Sequence, residues 1–518
     1  MSAAEIRTAR RGAIATPHVL ATEAGVDAFR RGGNAVDAAL AAAAVLCVAY
    51  PHNVTIGGDL VALVRDPGGR LRCVNATGPA PAAVDPVALR ERHGRQLPLR
   101  GVDVLSVPGA VAGWSTLRDL AGRLPWSDVF RSAIEYAGAG VPVAPSLAAA
   151  IQHDHDDLAA DPECAAVFLP GGTPLGVGDR LRQPNLARSL AGLAADGPGA
   201  LYGGPLGVDL ARGLAARGAV LHADDLAAFE PEVVEPLTGS RAGLDVHTSP
   251  PNTQGFLLLR YLRALARRPG ADPLAGATPD ELAAIYAEGI TVRERWLADP
   301  RGTLGPEPPE RVPTAVPSGL QSLGDTIGIA AADSDGGAVS LIQSLFHAFG
   351  ACVLEPGTGI LMQDRACSFS LDPASPRAIR PGTRPPHTLM PVIVTERGRP
   401  RWITATMGGQ AQPQIHLQVL SHLLAGAAAQ AAVAAPRWTL GPPAEATGAA
   451  HARVEANVDP DVAPALRRAG YQVTEIPARS EQVGHAQAIH VGAQPDEFDV
   501  GSDPRADGSG AIVELPLH

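Results

Sequence analysis

Apolar positions at helical spacing (Leu20, Ala24, Ala28) end in Arg30-Arg31-Gly32-Gly33, with cations in the last turn and glycines beyond it, so the pattern predicts a helix over 20–32. Asn34, with Asp37 three residues on, predicts an N-cap for a second helix over 38–50 that is apolar on every side. A helix with no polar face has to lie between two layers. Its run of about 13 residues falls short of the roughly 20 that span a bilayer. Pro51 ends it, and Ile56-Gly57-Gly58-Asp59 leads into a strand-like run over 60–64. Residues 108–290 mix helical segments, such as 126–136 and 279–286, with glycine-rich joints and show no fixed repeat. The texture changes at 302–325, where Pro306, Pro308, Pro309, Pro313 and Pro317 alternate with glycines and predict an irregular, exposed segment. Directly after it, 326–332, the turn Asp333-Ser334-Asp335-Gly336-Gly337 and 338–342 predict a β-hairpin.

Composition narrows the chemistry. The 518 residues are 46% hydrophobic and 18% charged, enough to bury a large core. No lysine occurs, so all 42 basic residues are arginine. A lysine Schiff base, a pyridoxal-phosphate anchor, a P-loop lysine and a Ser-Lys dyad are thereby excluded, and a catalytic amine has to be the α-amine of a chain end. The net charge of −11, with basic residues only in short pairs, argues against nucleic-acid binding. Five cysteines without a C-x-x-C pair read as reduced, mostly buried thiols, and the polar first eleven residues lack the apolar core of a secretion signal. The expectation is a cytoplasmic protein, without membrane segment, cofactor or metal. His153-Asp154-His155 could ligate a metal as in metal-dependent amidohydrolases, but that chemistry expects a buried strand end, and 146–160 reads as a polar-faced helix. His52, Asn34 and Asp37 read as cap or core contacts.

A strand-initial threonine after an irregular segment is what self-cleaving N-terminal nucleophiles require. Scission before Thr326 would free an α-amine, with a reference pKa of about 7.7–8.0, to serve as base for the adjacent hydroxyl. An Asp-Thr step alone is also ordinary strand sequence, since threonine is β-branched.

Ordered blocks along nearly the whole chain resemble the γ-glutamyltransferase family of N-terminal-nucleophile hydrolases. They are Ala21-Thr22-Glu23-Ala24-Gly25, Gly32-Gly33-Asn34-Ala35-Val36-Asp37, Pro51-His52, Val107-Pro108-Gly109, Pro250-Pro251-Asn252, Asp325-Thr326, Pro356-Gly357-Thr358-Gly359-Ile360-Leu361, Met407-Gly408-Gly409 and Asp503-Pro504-Arg505-Ala506-Asp507-Gly508. The resemblance implies an α/β four-layer αββα sandwich with two central, mainly antiparallel sheets. It implies cleavage between Asp325 and Thr326 into a large subunit, 1–325, and a small subunit, 326–518, with 302–325 as the processing loop of one composite domain. Thr326 becomes nucleophile and base carrier, Gly408 and Gly409 the oxyanion site, and Ser344 the hydroxyl that supports the nucleophile.

Departures from the family pattern concern the substrate. The arginine that clamps a glutamyl α-carboxylate is replaced by Thr77, the acid that binds its α-amine by Ser368, a Ser-Ser pair by His387-Thr388, and a polar amide by Phe346. Losing both zwitterion contacts argues against glutathione. Arg365, His387 and Thr388 are the expected contacts of a more compact carboxylate, with Ser368 and Thr77 at the replaced positions also expected to bind substrate, as in the non-glutamyl branch that includes oxamate amidohydrolase, and carbon–carbon hydrolysis of an oxalyl unit stays open. The competing, less favoured reading of Arg365 and His387 is an ion pair at a surface or interface. The alternatives are a glutathione hydrolase with a reorganised clamp and an unprocessed, non-catalytic homologue. The expected partners are a small-molecule amide or acyl substrate and the two subunits of one precursor, with a homo-oligomer open.

Overall fold

The computed structural model describes residues 10–241, 243–267, 277–301, 325–443 and 450–515. Of the expected processing loop only Asp325 is among them; 302–324 lie outside the described residues.

Two antiparallel sheets form the centre. One runs in the order Ser509–Glu514, Arg11–Thr16, Asp325–Asp333, Ala338–Phe346, Asp59–Arg65, Leu71–Ala76, Glu232–Val234. The other runs Phe498–Ser502, His485–Val491, Arg399–Met407, Val392–Glu396, Leu244–Thr248, Leu237–Arg241. Their inner faces share a core of small and branched residues, among them Ala330, Ala332 and Ile342 against Ile393, Ile403 and Ala405. Small side chains let the sheets approach closely. At Gly328 a Cβ would fall 2.8 Å from the Ala405 carbonyl carbon and 2.9 Å from the Thr406 nitrogen, so glycine is required there. Helices cover both outer faces: Val19–Arg30 and Ala35–Ala49 on the first sheet, Phe256–Ala266, Pro279–Trp296 and Gln412–Leu424 on the second.

The expected helices are present and their caps explain their ends. Every residue of Ala35–Ala49 is buried, in keeping with its lack of a polar face. Asn34 Oδ1 accepts the Val36 and Asp37 N–H groups at 3.0 and 3.2 Å, and Asp37 Oδ2 accepts the Asn34 N–H at 2.9 Å, a complete capping box. Asp37 also takes the N–H groups of Arg123 and Leu124, tying a neighbouring turn to this helix. Asp333, in the hairpin, accepts the Ala35 N–H at 3.0 Å and that of Gly337 at 3.0 Å, so the N-terminus of the buried helix fixes the turn after the Thr326 strand. The helix expected over 146–160 is instead two, Pro145–His153 and His155–Ala160. They break at Asp154, whose carboxylate pairs with Arg100 at 3.0 Å. All five cysteines are free and buried. No described helix is long and apolar enough to cross a membrane.

Because the obstacle at Gly328 is backbone, Gly328→Val should lower stability by about 1–3 kcal/mol through overpacking. The midpoint of urea unfolding, measured beside the wild-type chain, checks this; an unchanged midpoint would mean the sheets have slack at this point.

Candidate active site

The hairpin register sets Ser344 opposite Thr326, and a bulge between Ser344 and Phe346 then brings Phe346 opposite Asp325. Thr326 and Ser344 are fully buried. The Thr326 hydroxyl donates to Ser344 Oγ at 3.0 Å, and the Ser344 hydroxyl donates to the Asp325 carbonyl oxygen at 2.7 Å. Ser344 therefore joins the Thr326 hydroxyl to the carbonyl of the peptide bond that precedes Thr326. The Phe346 N–H also donates to Ser344 Oγ, at 2.8 Å, from a backbone with φ of 89°. A bulky residue in that region carries strain, of order 1–3 kcal/mol, and here the strained amide orients the hydroxyl. Burial pushes the Asp325 carboxyl up to about 6, against the pull of His347.

Arg365 is fully buried, with no carboxylate within 4.0 Å among the described residues. Its Nη1 donates to Thr388 Oγ1 at 3.2 Å and its Nη2 to Ser344 Oγ at 3.4 Å; its Nε has no partner, and its guanidinium lies 3.9 Å from the centre of the Phe346 ring. Burial lowers its pKa to about 10, so it remains a cation at neutral pH. Leaving such a charge without a counter-ion is costly, which makes this the point at which an anion gains most.

His387 lies behind this group. Its Nε2–H donates to Asp59 Oδ2 at 3.1 Å and its Nδ1 accepts the Leu389 N–H at 3.4 Å, so both ring nitrogens are engaged inside the protein. Burial holds the imidazole well below its usual pKa. Asp59 also accepts Gly78 N–H, Gly109 N–H and Gln363 Nε2 at 3.0, 3.3 and 2.9 Å; burial raises it to about 7 against these bonds. Thr77 is buried beside it, its hydroxyl donating to Asn75 Oδ1 at 2.7 Å, and Asn75 reaches Asn252. Ser368 is half-buried and donates to the carbonyls of Arg365 and Pro386. Arg365, Thr388, Ser344 and Thr326 thus touch in one chain, whereas His387 and Thr77 belong to the hydrogen-bond layer behind Arg365.

Gly408 and Gly409 follow the strand Arg399–Met407, whose Ala405 and Thr406 lie against Gly328, two residues after Thr326. Gly408 has φ of 145°, and a Cβ on it would come within 2.3 Å of Ile415, so the turn depends on glycine. Gln254, absent from the sequence expectations, holds this turn. Its Nε2 donates to the carbonyls of Gly409 and Thr388, both at 2.8 Å, and its Oε1 accepts Arg293 Nε at 3.1 Å. Asp59 was legible only as a residue leading into a strand, and Gln254 had no signal beyond its place after Pro250-Pro251-Asn252. His153 and His155 flank the helix break at Asp154, and His52 packs on Tyr50 in the core, where burial lowers it to about 3. His347, Asp364 and Cys367 bring three potential metal-ligand atoms within 4.8 Å of one another. There the His347 Nδ1 to Asp364 Oδ2 contact of 2.5 Å is a hydrogen bond, and burial keeps the Cys367 thiol protonated.

A family model described as Gamma-glutamyltranspeptidase matches residues 21–306 and 307–513. The chain is 33% identical over 523 residues to the oxamate amidohydrolase proenzyme of Klebsiella pneumoniae subsp. pneumoniae, covering 96% of this chain and 98% of that one. It is also 33% identical to the Acylase ACY 1 proenzyme of Pseudomonas sp. (strain SE83), over 90% of this chain and 88% of the relative. The crystal structure of cephalosporin acylase from Bacillus halodurans superposes with a TM-score of 0.86 at 32% identity, covering 99% of this chain and 97% of that one.

Ser344→Ala removes the hydrogen bond that polarises the Asp325 carbonyl, and a donor of this kind is worth about 2.7–4 kcal/mol in an acyl-transfer step. Conversion of the full-length chain into two fragments, followed by denaturing electrophoresis, should slow by about 100- to 1,000-fold, while Ser344→Thr, which keeps a hydroxyl, should recover most of the rate.

Proposed function

The chain belongs to the gamma-glutamyltranspeptidase family, and from that premise we propose that it is a self-processing threonine hydrolase acting on amides of a compact carboxylic acid, of the oxalyl type. The observation that carries this reading is Arg365, a buried cation without a carboxylate partner, one hydrogen bond from the hydroxyl that contacts the nucleophile. Two opposite charges 4 Å apart at an effective dielectric of about 20 attract by about 4 kcal/mol, enough to select an acid whose carboxylate adjoins the scissile carbonyl.

In the precursor, Thr326 Oγ1 attacks the Asp325 carbonyl carbon. Its proton passes to Ser344 Oγ as the Ser344 proton moves to the carbonyl oxygen, so one serine relays the proton without forming an ion. Collapse of the adduct breaks the C–N bond and leaves an ester, and water releases 1–325 from 326–518 with a free α-amine on Thr326. In the mature enzyme that amine accepts the Thr326 hydroxyl proton as the oxygen attacks the substrate carbonyl. The leaving amine takes the proton, and water resolves the acyl-enzyme. The N–H groups of the Gly408-Gly409 turn are the donors for the tetrahedral oxygen, held in place through Gln254. Arg365 and Thr388 bind the acid, with His387 and Asp59 fixing the segment that carries Thr388. The two sheets between helical layers match the arrangement that supports N-terminal nucleophiles. Ser368 spends its hydroxyl on two carbonyls and Thr77 on Asn75, which leaves neither placed to recognise a glutamyl zwitterion.

Intact mass should show the Thr326→Ala chain uncleaved and the wild type split before residue 326. Processed enzyme should turn over oxamate and leave a γ-glutamyl anilide untouched; the reverse preference overturns the reading. Arg365→Gln should cost at least about 100-fold in kcat/KM on oxamate, about 2.7 kcal/mol. The neighbouring guanidinium disfavours the protonated α-amine, so the ascending, acid-side limb of kcat/KM, along which the amine loses its proton and activity rises with pH, should have its midpoint below the reference value of about 7.7–8.0. In Arg365→Gln that limb should move to higher pH, which a pH–rate profile on residual activity detects.

A further inference from the structure

The residue after Phe346 and the turn that carries Arg365 bring three metal-binding side chains together. Asp364 and Cys367 stand three apart on the turn Arg365–Ser368, which the Cys367 N–H closes by donating to the Asp364 carbonyl at 3.0 Å, and His347 reaches both. His347 Nδ1 lies 2.5 Å from Asp364 Oδ2 and 3.9 Å from Cys367 Sγ, and the sulfur lies 3.8 Å from Asp364 Oδ2. Around a tetrahedral zinc ion, bound at about 2.0–2.2 Å by nitrogen and oxygen and at about 2.3 Å by sulfur, nitrogen and oxygen stand about 3.4 Å apart and each stands about 3.6 Å from sulfur. Opening one gap by about 0.9 Å and closing the other two by about 0.3 Å turns the present triangle into that one.

The surroundings suit a cation. Asp364 is already oriented for it: its Oδ1 accepts the His347 N–H at 3.1 Å, which leaves Oδ2 to face the other two donors. The imidazole lies within electrostatic reach of Asp325 and Asp154 as well, and Asp154 and Asp157 both pair with Arg100, at 3.0 and 2.7 Å. Acid therefore stands in excess over Arg100 and Arg365 around the trio. Cys367 lines a cavity of about 390 Å³ beside Phe346, and the His347 side chain is 14% exposed, so an ion has a way in.

We infer that His347, Asp364 and Cys367 bind a zinc ion, and that the bound ion slows the reactive centre. As it binds, the Cys367 thiol gives its proton to solvent and the thiolate forms the Zn–S bond. The neutral imidazole shifts its proton from Nδ1 to Nε2 and ligates through Nδ1, Asp364 ligates through Oδ2, and water completes the tetrahedron. A thiolate, an imidazole and a carboxylate are a donor set for zinc rather than for magnesium or calcium. Both arms of the triangle are continuous with the site: His347 follows Phe346, whose amide holds Ser344 and whose ring holds Arg365, and Asp364 precedes Arg365. Spreading Nδ1 from Oδ2 by about 0.9 Å therefore moves Phe346 away from Arg365 and loosens the hold on Ser344.

Chelator-treated wild-type enzyme titrated with cobalt(II) should develop a thiolate-to-cobalt charge-transfer band that saturates at one equivalent, and zinc should displace it. The band should vanish in Cys367→Ala, and His347→Gln should weaken zinc binding at least about 10-fold in competition with a chromophoric chelator. Both variants, free of metal, should still split before Thr326, which reports their folding. Equimolar zinc should slow self-cleavage of newly synthesised wild-type precursor and turnover of oxamate several-fold, with recovery on EDTA, and should leave Cys367→Ala unaffected. A wild type without the band, a band that survives Cys367→Ala, or a zinc affinity unchanged in His347→Gln overturns the site; zinc that binds yet leaves both wild-type rates unchanged overturns the inhibition. The spectroscopic and self-cleavage measurements use no substrate, so they stand or fall separately from the oxalyl reading.

Discussion

One hydroxyl organises the reactive centre. Ser344 Oγ accepts from Thr326, from the Phe346 amide and, weakly, from Arg365, and it donates its single proton to the Asp325 carbonyl. A hydroxyl has one donor and two lone pairs, so the Thr326 hydroxyl and the Phe346 amide fill the lone pairs, the 3.4 Å contact from Arg365 can only share one of them, and the proton is left to the Asp325 carbonyl. That leaves a single hydrogen-bonded path from the Thr326 hydroxyl to the Asp325 carbonyl oxygen. The path depends on the bulge that turns the Phe346 amide inward, on the hairpin register that pairs Ser344 with Thr326, and on the glycine that lets the second sheet lie against the Thr326 strand. A slip of one residue would turn Thr326 to the other face of its sheet.

Electrostatically the site is built around a charge left unanswered. Asp59 is near enough to Arg365 to raise its pKa but engages His387, two backbone amides and Gln363 instead of forming a salt bridge with it. The carboxylate thus fixes the loops around the site while Arg365 keeps its Nε without a hydrogen-bond partner. The face of the Phe346 ring attracts the guanidinium electrostatically and covers one side of it. The same residue stands where the family pattern expects a polar amide, so one replacement both removes a glutamyl contact and helps house an uncompensated cation.

Much of the site could be read along the chain because its members sit in short ordered blocks. Thr326 starts a strand after a proline-rich segment, Gly408-Gly409 ends another, and Arg365 and Thr388 lie in segments whose departures from the family pattern are local. The residues that hold them could not be read this way. Gln254 acquires its role by reaching Thr388, Gly409 and Arg293, which belong to three separated segments, and Glu294 by bridging Arg293 and Arg377. Nothing in the local sequence of Gln254 or Glu294 distinguishes it from an ordinary core or helix residue. His387 illustrates the complementary case: its position beside Thr388 was legible, but which groups its two nitrogens meet was set by the fold.

The sequence by itself determined the local decisions: where the helix Ala35–Ala49 begins and why it has no polar face, the hairpin that follows Thr326, the exclusion of lysine chemistry, and the likeness of ordered blocks to one family. These rest on caps, turn residues, periodicity and residue inventory, which act within a few positions of the chain. Tertiary structure alone decided that Arg365 is buried without a carboxylate, that Ser344 faces both Thr326 and the Asp325 carbonyl, and that the breaks and bulges at Asp154 and Phe346 occur where they do. Burial, dielectric environment and the pairing of distant donors and acceptors depend on how layers stack, and no window of sequence contains that information.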